Sequence, residues 1–332
     1  MATTDSATLD PKAPQPIEEE EAPKKKFGLD TLRPFLPIIG FLAILGFFVI
    51  ATGGSIITPR NINLMLSQTY MLMIAAVGVF MVMTMGCLDF SQGSMLGLCC
   101  IVVCALSQYN IVLAIIGGIV TGGVIGAINA YFHVYRQIQS FVVTLCMMFL
   151  LRGVVAFITT DAPVQGATYL SGLNDSSIMI PIMVVVLVLG YLVFRFTSVG
   201  PNLKAIGAGE KGARFAGIEV NKTKVIVYIV AGCITGFAAF VNAAKVGSVT
   251  ATGGNMFETQ LMIALVLGGL PINGGARVNY SNIVVGVLSY RILASGLVML
   301  GFTTEIQQLI MGIVFVLVVA VFSDRKANQV IK

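Results

Sequence analysis

Thr197–Lys224, TSVGPNLKAIGAGEKGARFAGIEVNKTK, is the longest polar interruption after the N-terminal tail. It carries Lys204, Lys211, Arg214, Lys222 and Lys224 against only Glu210 and Glu219. Apolar runs flank it at 178–196 and 223–245. A bilayer core about 30 Å thick is crossed by about 20 apolar residues in helix, so both runs are long enough to span. The stretch therefore predicts a basic, glycine-punctuated loop (197–224) between membrane spans, where a soluble cytoplasmic partner could grip a membrane protein.

Composition agrees. The 332 residues are 57% hydrophobic and 11% charged, with a mean hydropathy of +0.93. Soluble domains carry about 25% charged residues, which excludes an ordinary globular chain. Twelve of the 35 charged residues fall in the first 33 positions, so the net charge of +5 says nothing about nucleic acid. Its use is topological, through where Lys and Arg fall. The six cysteines lie in or beside apolar runs and read as small packing residues, with no disulfide.

Ten apolar segments follow the tail: 34–52, 61–86, 94–107, 110–132, 141–159, 178–196, 223–245, 258–270, 281–300 and 304–322. With the N-terminus inside, cytoplasmic segments hold sixteen Lys and Arg, whereas external ones hold only Arg60 and Lys245. Excess basic residues mark the cytoplasmic side, so both termini are expected inside. The expected class is an all-α polytopic membrane protein with about ten spans. Residues 1–33 form a disordered cytoplasmic tail, 34–325 the membrane domain and 326–332 a C-terminal tail. Acidic (Glu18–Glu21) and basic (Lys24–Lys26) blocks among prolines give the tail nothing to bury.

Two of the ten segments, 94–107 and 258–270, are short, and each touches a glycine-bearing break: MGCLDFSQGS (85–94) and LGGLPINGGA (267–276). At an offset of 182, Gly86 meets Gly268, Leu88 meets Leu270 and Gly93 meets Gly275. Interrupted segments at corresponding places in two halves point to a site built from broken helices. By contrast, Gly118, Gly122, Gly126 and Ala130, with Gly232 and Gly236, read as small-residue packing seams.

No catalytic or metal-binding residues are identified. Gly207–Gly212 formally matches G-x-G-x-x-G but lies between membrane spans, not in a βαβ unit. No phosphate-binding G-x-x-x-x-G-K-[ST] occurs, and no Ser/His/Asp or Cys/His arrangement is available. The single histidine, His133, reads as an interfacial anchor beside Tyr131 and Tyr135. Charges at membrane depth are costly and usually face a cavity or a partner; Asp89, Arg152, Glu258, Arg291 and Glu305 are such charges. Asp89, with Ser91, Gln92 and Ser94, has two open readings: the lining of a hydrated pathway, or a cap on the helix that follows. Asn129 and Asn242 are amides inside spans that need a helix or a polyhydroxylated solute as partner.

At this point the chain resembles, from about Pro59 to Arg325, the permease subunits of bacterial ABC importers for ribose-type sugars. The resemblance rests on TSVGPNLKAIGAGEKGARFAGIEVNKTKVIVYIVAG (197–232), similar to that family's coupling loop; on MGCLDFSQGS; on IQSFVVTL (138–145), which brings Phe141 to the pathway; and on FETQLMIALVLGG (257–269). It implies a non-catalytic subunit of the bacterial cytoplasmic membrane, surrounded by lipid and binding no cofactor itself. ATP–Mg would sit on a partner ATPase, an external solute-binding protein would deliver the solute, and a second permease copy would complete a homodimer or heterodimer. The solute would be small and polar, a monosaccharide by the resemblance. Lys204, Gly207, Gly209, Glu210, Arg214, Phe215 and Gly217 would couple to the ATPase. Asp89, Ser91, Gln92, Ser94, Asn129, Phe141, Asn242 and Glu258 would line the pathway. The alternative is an ion-coupled secondary transporter using Asp89 or Glu258.

Overall fold

The computed structural model describes residues 35–322. The tail 1–33 and the segment 326–332 lie outside the described residues, as do the basic residues counted there. Each of the ten apolar segments forms a helix: α1 (Leu36–Ala51), α2 (Pro59–Thr84), α3 (Gln92–Ser107), α4 (Ile111–Ala130), α5 (Ser140–Ile158), α7 (Ser176–Phe196), α10 (Val220–Val246), α11 (Phe257–Leu267), α12 (Ser281–Met299) and α13 (Thr304–Phe322). A short α6 (Tyr169–Gly172) lies in the α5–α7 connection. The only pairing of strands among the described residues is antiparallel, two residues each, between β1 (Val164–Gln165) and β2 (Ser248–Val249).

Six helices are long and apolar enough to cross a membrane: α2, α4 with its extension to Tyr135, α5, α7, α10 and α12. Apolar but shorter are α1, α3, α11 and the Thr304–Ala320 part of α13. With 11 residues, α11 spans about 16 Å, roughly half a hydrocarbon core. The chain is a polytopic helical membrane protein.

Helix α2 is the axis. From Leu72 to Thr84 its residues are buried on every side, and 72% of its most apolar window lies inside the molecule, against 22% for α5 and for α7. A helix apolar all round must be enclosed by others or by lipid; α2 has the first solution, while α5 and α7 turn most of their surface outward. On α2, Gly78 packs against Ala231 of α10, with a built Cβ only 3.0 Å from the Ala231 Cα.

The small-residue seam forms as expected. A Cβ on Gly122 would collide with the Gly232 carbonyl, one on Gly118 would come within 2.8 Å of the Gly236 carbonyl, and one on Gly126 would strike the Tyr228 carbonyl. Partner numbers fall as Gly118, Gly122 and Gly126 rise, so α4 and α10 run antiparallel. Contact at this range needs bare backbone, because lipid supplies no hydrophobic drive between helices and association rests on close packing.

The stretch 197–224 departs from a loop. Expected as a glycine-punctuated loop, it folds into α8 (Val199–Ala208) and α9 (Glu210–Phe215), and α10 already begins at Val220. Only Gly217, with φ +83, has the left-handed conformation that favours glycine. Gly207 and Gly212 are helical. Gly209, at φ 163, is extended and joins the two helices.

Candidate functional site

The candidate site comprises a face of short helices under the bundle, the one expected to couple to a partner, and a buried polar cluster above it. Helix α8 lies under the bundle because its apolar side chains, Leu203 and Ile206, are buried there. Lys204 stands over the Phe194 ring, 5.4 Å from its centroid, and Phe194 joins an edge-on aromatic cluster with Phe80 and Tyr280. A cation over an aromatic face is attracted by the ring quadrupole, which clips α8 to the end of α7.

Gly207 is the point of closest approach. A Cβ there would run into the Thr84 carbonyl at the end of α2 and come within 2.6 Å of the Gly275 amide. That amide donates to the same Thr84 carbonyl at 3.1 Å. Gly86, at φ +75, faces the Asn273 carbonyl, which a Cβ would approach to 2.8 Å. The two glycine-bearing breaks aligned by sequence therefore meet each other, and both meet α8 (Gly86 from one, Asn273–Gly275 from the other). Gly268, the formal counterpart of Gly86, packs elsewhere, against the Asn282 carbonyl of α12.

The rest of the coupling face is more open. Glu210 pairs with Lys224, whose side chain is only 7% exposed. Arg214 donates to Asn221 Oδ1 at 2.8 Å, and Tyr135, Arg214, Ile218 and Lys222 line a shallow hollow. Phe215 projects from the end of α9 at 92% exposure. Gly209 and Gly217 have open space around their Cα atoms.

His133 belongs here too, which the sequence reading as an interfacial anchor missed. The π-helical turn Tyr131–Tyr135 presents its ring to Cys87 and Lys224. Nδ1 lies 2.8 Å from the Ile138 carbonyl, so it carries the proton. Nε2 is then the acceptor, 3.4 Å from Lys224 Nζ and 3.5 Å from Cys87 Sγ. Glu210, Lys224, His133 and Cys87 thus make a chain of contacts from α9 to the first break. The only sequence signal was a lone histidine near a basic loop; distances of 46 and 91 residues hid its partners.

Asp89 anchors the cluster above. Its Oδ1 accepts from the Ser91 backbone amide at 2.9 Å and the Ser91 hydroxyl at 2.6 Å, and its Oδ2 from Gln92 Nε2 at 2.7 Å. Ser91 Oγ in turn accepts from Asn129 at 2.9 Å, and Thr235 donates to Gln92 Oε1. Ser94 bonds back to the Ser91 carbonyl. Asp89, Ser91, Gln92, Ser94, Asn129 and Thr235 are all at most 2% exposed. Three helices, α3, α4 and α10, are tied to the break through one carboxylate. Short polar side chains satisfy helix-start amides in this way. The break is held from the other side by α5, where Thr144 Oγ1 accepts from the Phe90 amide at 3.1 Å. Phe141 stacks edge-on to Phe90, ring centroids 5.2 Å apart.

Two expected pathway residues stand apart. The amide of Asn242 donates to Cys100 Sγ at 3.4 Å, joining α10 to α3. Glu258, at the start of α11, pairs with Arg152 of α5 at 3.1 Å, the two side chains being 6% and 36% exposed. Its carboxylate fits against the bare backbone of Gly93, where a Cβ would collide with Oε2. Among the described residues, no group of three or more His, Cys, Asp or Glu side chains could hold a metal ion.

A buried polar break is thus braced by short helices on one face of a polytopic bundle. The chain belongs to the family described as branched-chain amino acid transport system / permease component, which it matches over residues 61–319. It is similar to the ribose import permease protein of Escherichia coli K12, 30% identical over 281 residues covering 81% of this chain and 87% of that protein. The ribose import permease protein of Bacillus subtilis 168 is 31% identical over 94% of this chain and 99% of its own length. The L-arabinose ABC transporter permease protein of Azospirillum brasilense is 31% identical over 82% of each chain. No solved structure is significantly similar to it.

Proposed function

We propose that this chain is the membrane-spanning permease subunit of an ATP-driven importer of a monosaccharide in a bacterial cytoplasmic membrane. The relatives are named for ribose, arabinose, xylose and allose. The observation that carries the mechanism is Gly207, on which α8, the end of α2 and both breaks converge. A partner ATPase holding ATP–Mg docks on α8 and α9, with Phe215 and Arg214 as its contacts and Lys204, Gly207, Gly209, Glu210 and Gly217 shaping the surface. Its closure moves α8, and the Gly207 junction passes that motion to the breaks. There Asp89, Ser91, Gln92, Ser94, Asn129, Phe141, Asn242 and Glu258 border the pathway.

Ten crossings with both termini inside fit the way the chain's connections gather. Segments assigned to the cytoplasm (85–93, 133–140, 197–222 and 267–276) contact one another, and the two strands pair between segments assigned outside. A solute-binding protein delivers from that outer side, and a second permease copy, identical or different, completes the pore. The relatives, named as import and ABC transporter permeases, favour this reading over the ion-coupled alternative using Asp89 or Glu258.

The test is uptake into inverted-control and right-side-out vesicles carrying the whole importer. Uptake of a labelled monosaccharide should require ATP on the cytoplasmic side and survive a protonophore; the reverse dependence overturns the reading. Arg214→Glu should leave insertion intact and abolish co-purification of the ATPase.

A further inference from the structure

The ends of α2, α11, α12 and α13 assigned to the outer side enclose a cavity of about 430 Å³, within the ~300–1,000 Å³ typical of small-ligand sites. None of the residues assigned to the pathway above lines it. Its wall is mostly apolar, with Met65 of α2, Ile263 of α11, Val298 of α12 and Met311 of α13. Set into that wall are the amides of Gln68 and Gln260 and one charged group, Arg291, from the middle of α12.

Other charges at membrane depth are matched within the protein. Arg152 pairs with Glu258, and Asp89 accepts three hydrogen bonds. Arg291 has no carboxylate partner among the described residues. Its Nη1 reaches Gln68 Oε1 at 3.5 Å, too long for a strong bond, and its Nε is buried with no acceptor. Its guanidinium lies 5.7 Å from the centroid of the Tyr290 ring. A second cation, Lys245 of α10, is within electrostatic reach. Glu305, in the first turn of α13, is exposed and outside the lining. A charge in a water-poor interior is costly unless a counter-charge or a full set of hydrogen bonds meets it, and a neighbouring like charge adds to that cost.

What the arrangement lacks is an oxyanion. A guanidinium presents a planar fork of donors that fits two oxygens of a carboxylate or phosphate. The amides of Gln68 and Gln260 have N–H groups to add. The rest of the guest must be apolar, because Met65, Ile263, Val298 and Met311 offer it no strong hydrogen bond. A polyol would bury hydroxyls there without partners, and an ammonium group would meet two cations and no carboxylate. We infer that this cavity binds a monovalent amphipathic anion, one carboxylate or phosphate group on an apolar body, with its oxygens on Arg291. Leu64 and Val298 line the cavity and are 55% and 59% exposed. The apolar wall thus continues onto an outer surface of the kind that lipid covers, so the anion can come from a lipid or from a small organic acid. The inference goes beyond the permease reading and needs neither its solute nor its ATPase.

Saturation-transfer NMR on the full-length chain in phosphatidylcholine nanodiscs tests it, with the signal of empty nanodiscs subtracted. At neutral pH phenylbutyrate should give a signal at least about fivefold above phenylbutanol, since hydrogen bonds between ions are the stronger kind. Phenylbutylamine should give none. Arg291→Gln should bring phenylbutyrate down to the level of phenylbutanol and leave the alcohol unchanged, a pattern that misfolding does not produce. The space-filling Ser295→Leu should lower the phenylbutyrate signal at least about threefold. Ser295 lines the cavity and is half-buried, so this second variant keeps the test valid if Arg291→Gln misfolds. Equal signals from acid and alcohol in the wild type overturn the site, as does an undiminished acid signal in a folded Arg291→Gln or Ser295→Leu protein. Adding phosphatidylglycerol to the nanodiscs then separates the two sources, and either result keeps the site. A threefold fall in the wild-type phenylbutyrate signal assigns the site to a lipid headgroup, and an unchanged signal assigns it to a water-borne acid.

Discussion

Two regions of this molecule are built from bare glycine backbone, and they differ in what they touch. In the α4–α10 seam, Gly118, Gly122 and Gly126 meet Gly236, Gly232 and the Tyr228 carbonyl. Both partners are regular helices, and the contact repeats every turn. At the Gly207 junction the close contacts gather at one place instead of repeating along a helix, and the partners are a helix end and two irregular breaks with left-handed glycines at 86, 274 and 275. A repeated helix–helix contact resists displacement at every step along its length. One contact between a short helix and a break can be moved as a unit, which suits a coupling element. Similar residues thus build a fixed wall in one place and, on the proposed mechanism, a moving joint in the other.

The strongest way to break this contrast is Gly232→Leu. Overpacking a tight interface costs about 1–3 kcal/mol and occasionally more, and here the collision is with helix backbone on both sides. We expect loss of most monodisperse protein by fluorescence-detected size exclusion. Gly207→Val should behave differently: near-normal yield, with uptake reduced at least tenfold and ATPase activity no longer raised by solute. An equal loss of yield in both variants would erase the distinction between wall and joint.

Asp89→Ala leaves the donors of Ser91 and Gln92 unmatched at the first break. A lost cap alone costs about 1 kcal/mol; we expect uptake to fall about fivefold with a smaller change in yield. Unchanged uptake would assign Asp89 to capping only. Phe215→Ala should weaken ATPase binding by about 1–2 kcal/mol, as removal of an exposed aromatic anchor does, measured by titration with the purified partner. The smallest effect concerns thiols. Burial pushes the Cys87 thiol up from its ordinary value, with Lys224 opposing that more weakly. Less thiolate is therefore present at neutral pH, and alkylation should be slow at pH 7 and quicken as pH rises. Nucleotide turnover should change the Cys87 rate about twofold and leave Cys233, which faces Gly123 in the seam, unaffected.

Much of the architecture was legible because membrane helices announce themselves locally. All ten apolar segments became helices, and the four-residue spacing of Gly118, Gly122 and Gly126 was enough to read a seam. The shortness of 258–270 was legible too, and α11 is shorter still. The 197–224 stretch was misread in form: its glycines read as punctuation of a loop, whereas Gly207 serves close approach within a helix. What contacts it could not be read, because Thr84 and Gly275 lie far away along the chain. The polar cluster was half legible. Asp89, Ser91, Gln92 and Ser94 are sequence neighbours, but Asn129 and Thr235 joined them only through the packing of α3, α4 and α10.

Local composition by itself determined that this chain lives in a bilayer, where its helices fall and that a basic segment interrupts them, since hydropathy and helical rise act within one segment. Which carboxylate is paired with which guanidinium and which glycine meets which carbonyl were decided by tertiary structure. Those outcomes depend on distances between segments that sequence order does not contain, and in a medium without water each unmatched polar group must find its partner across helices.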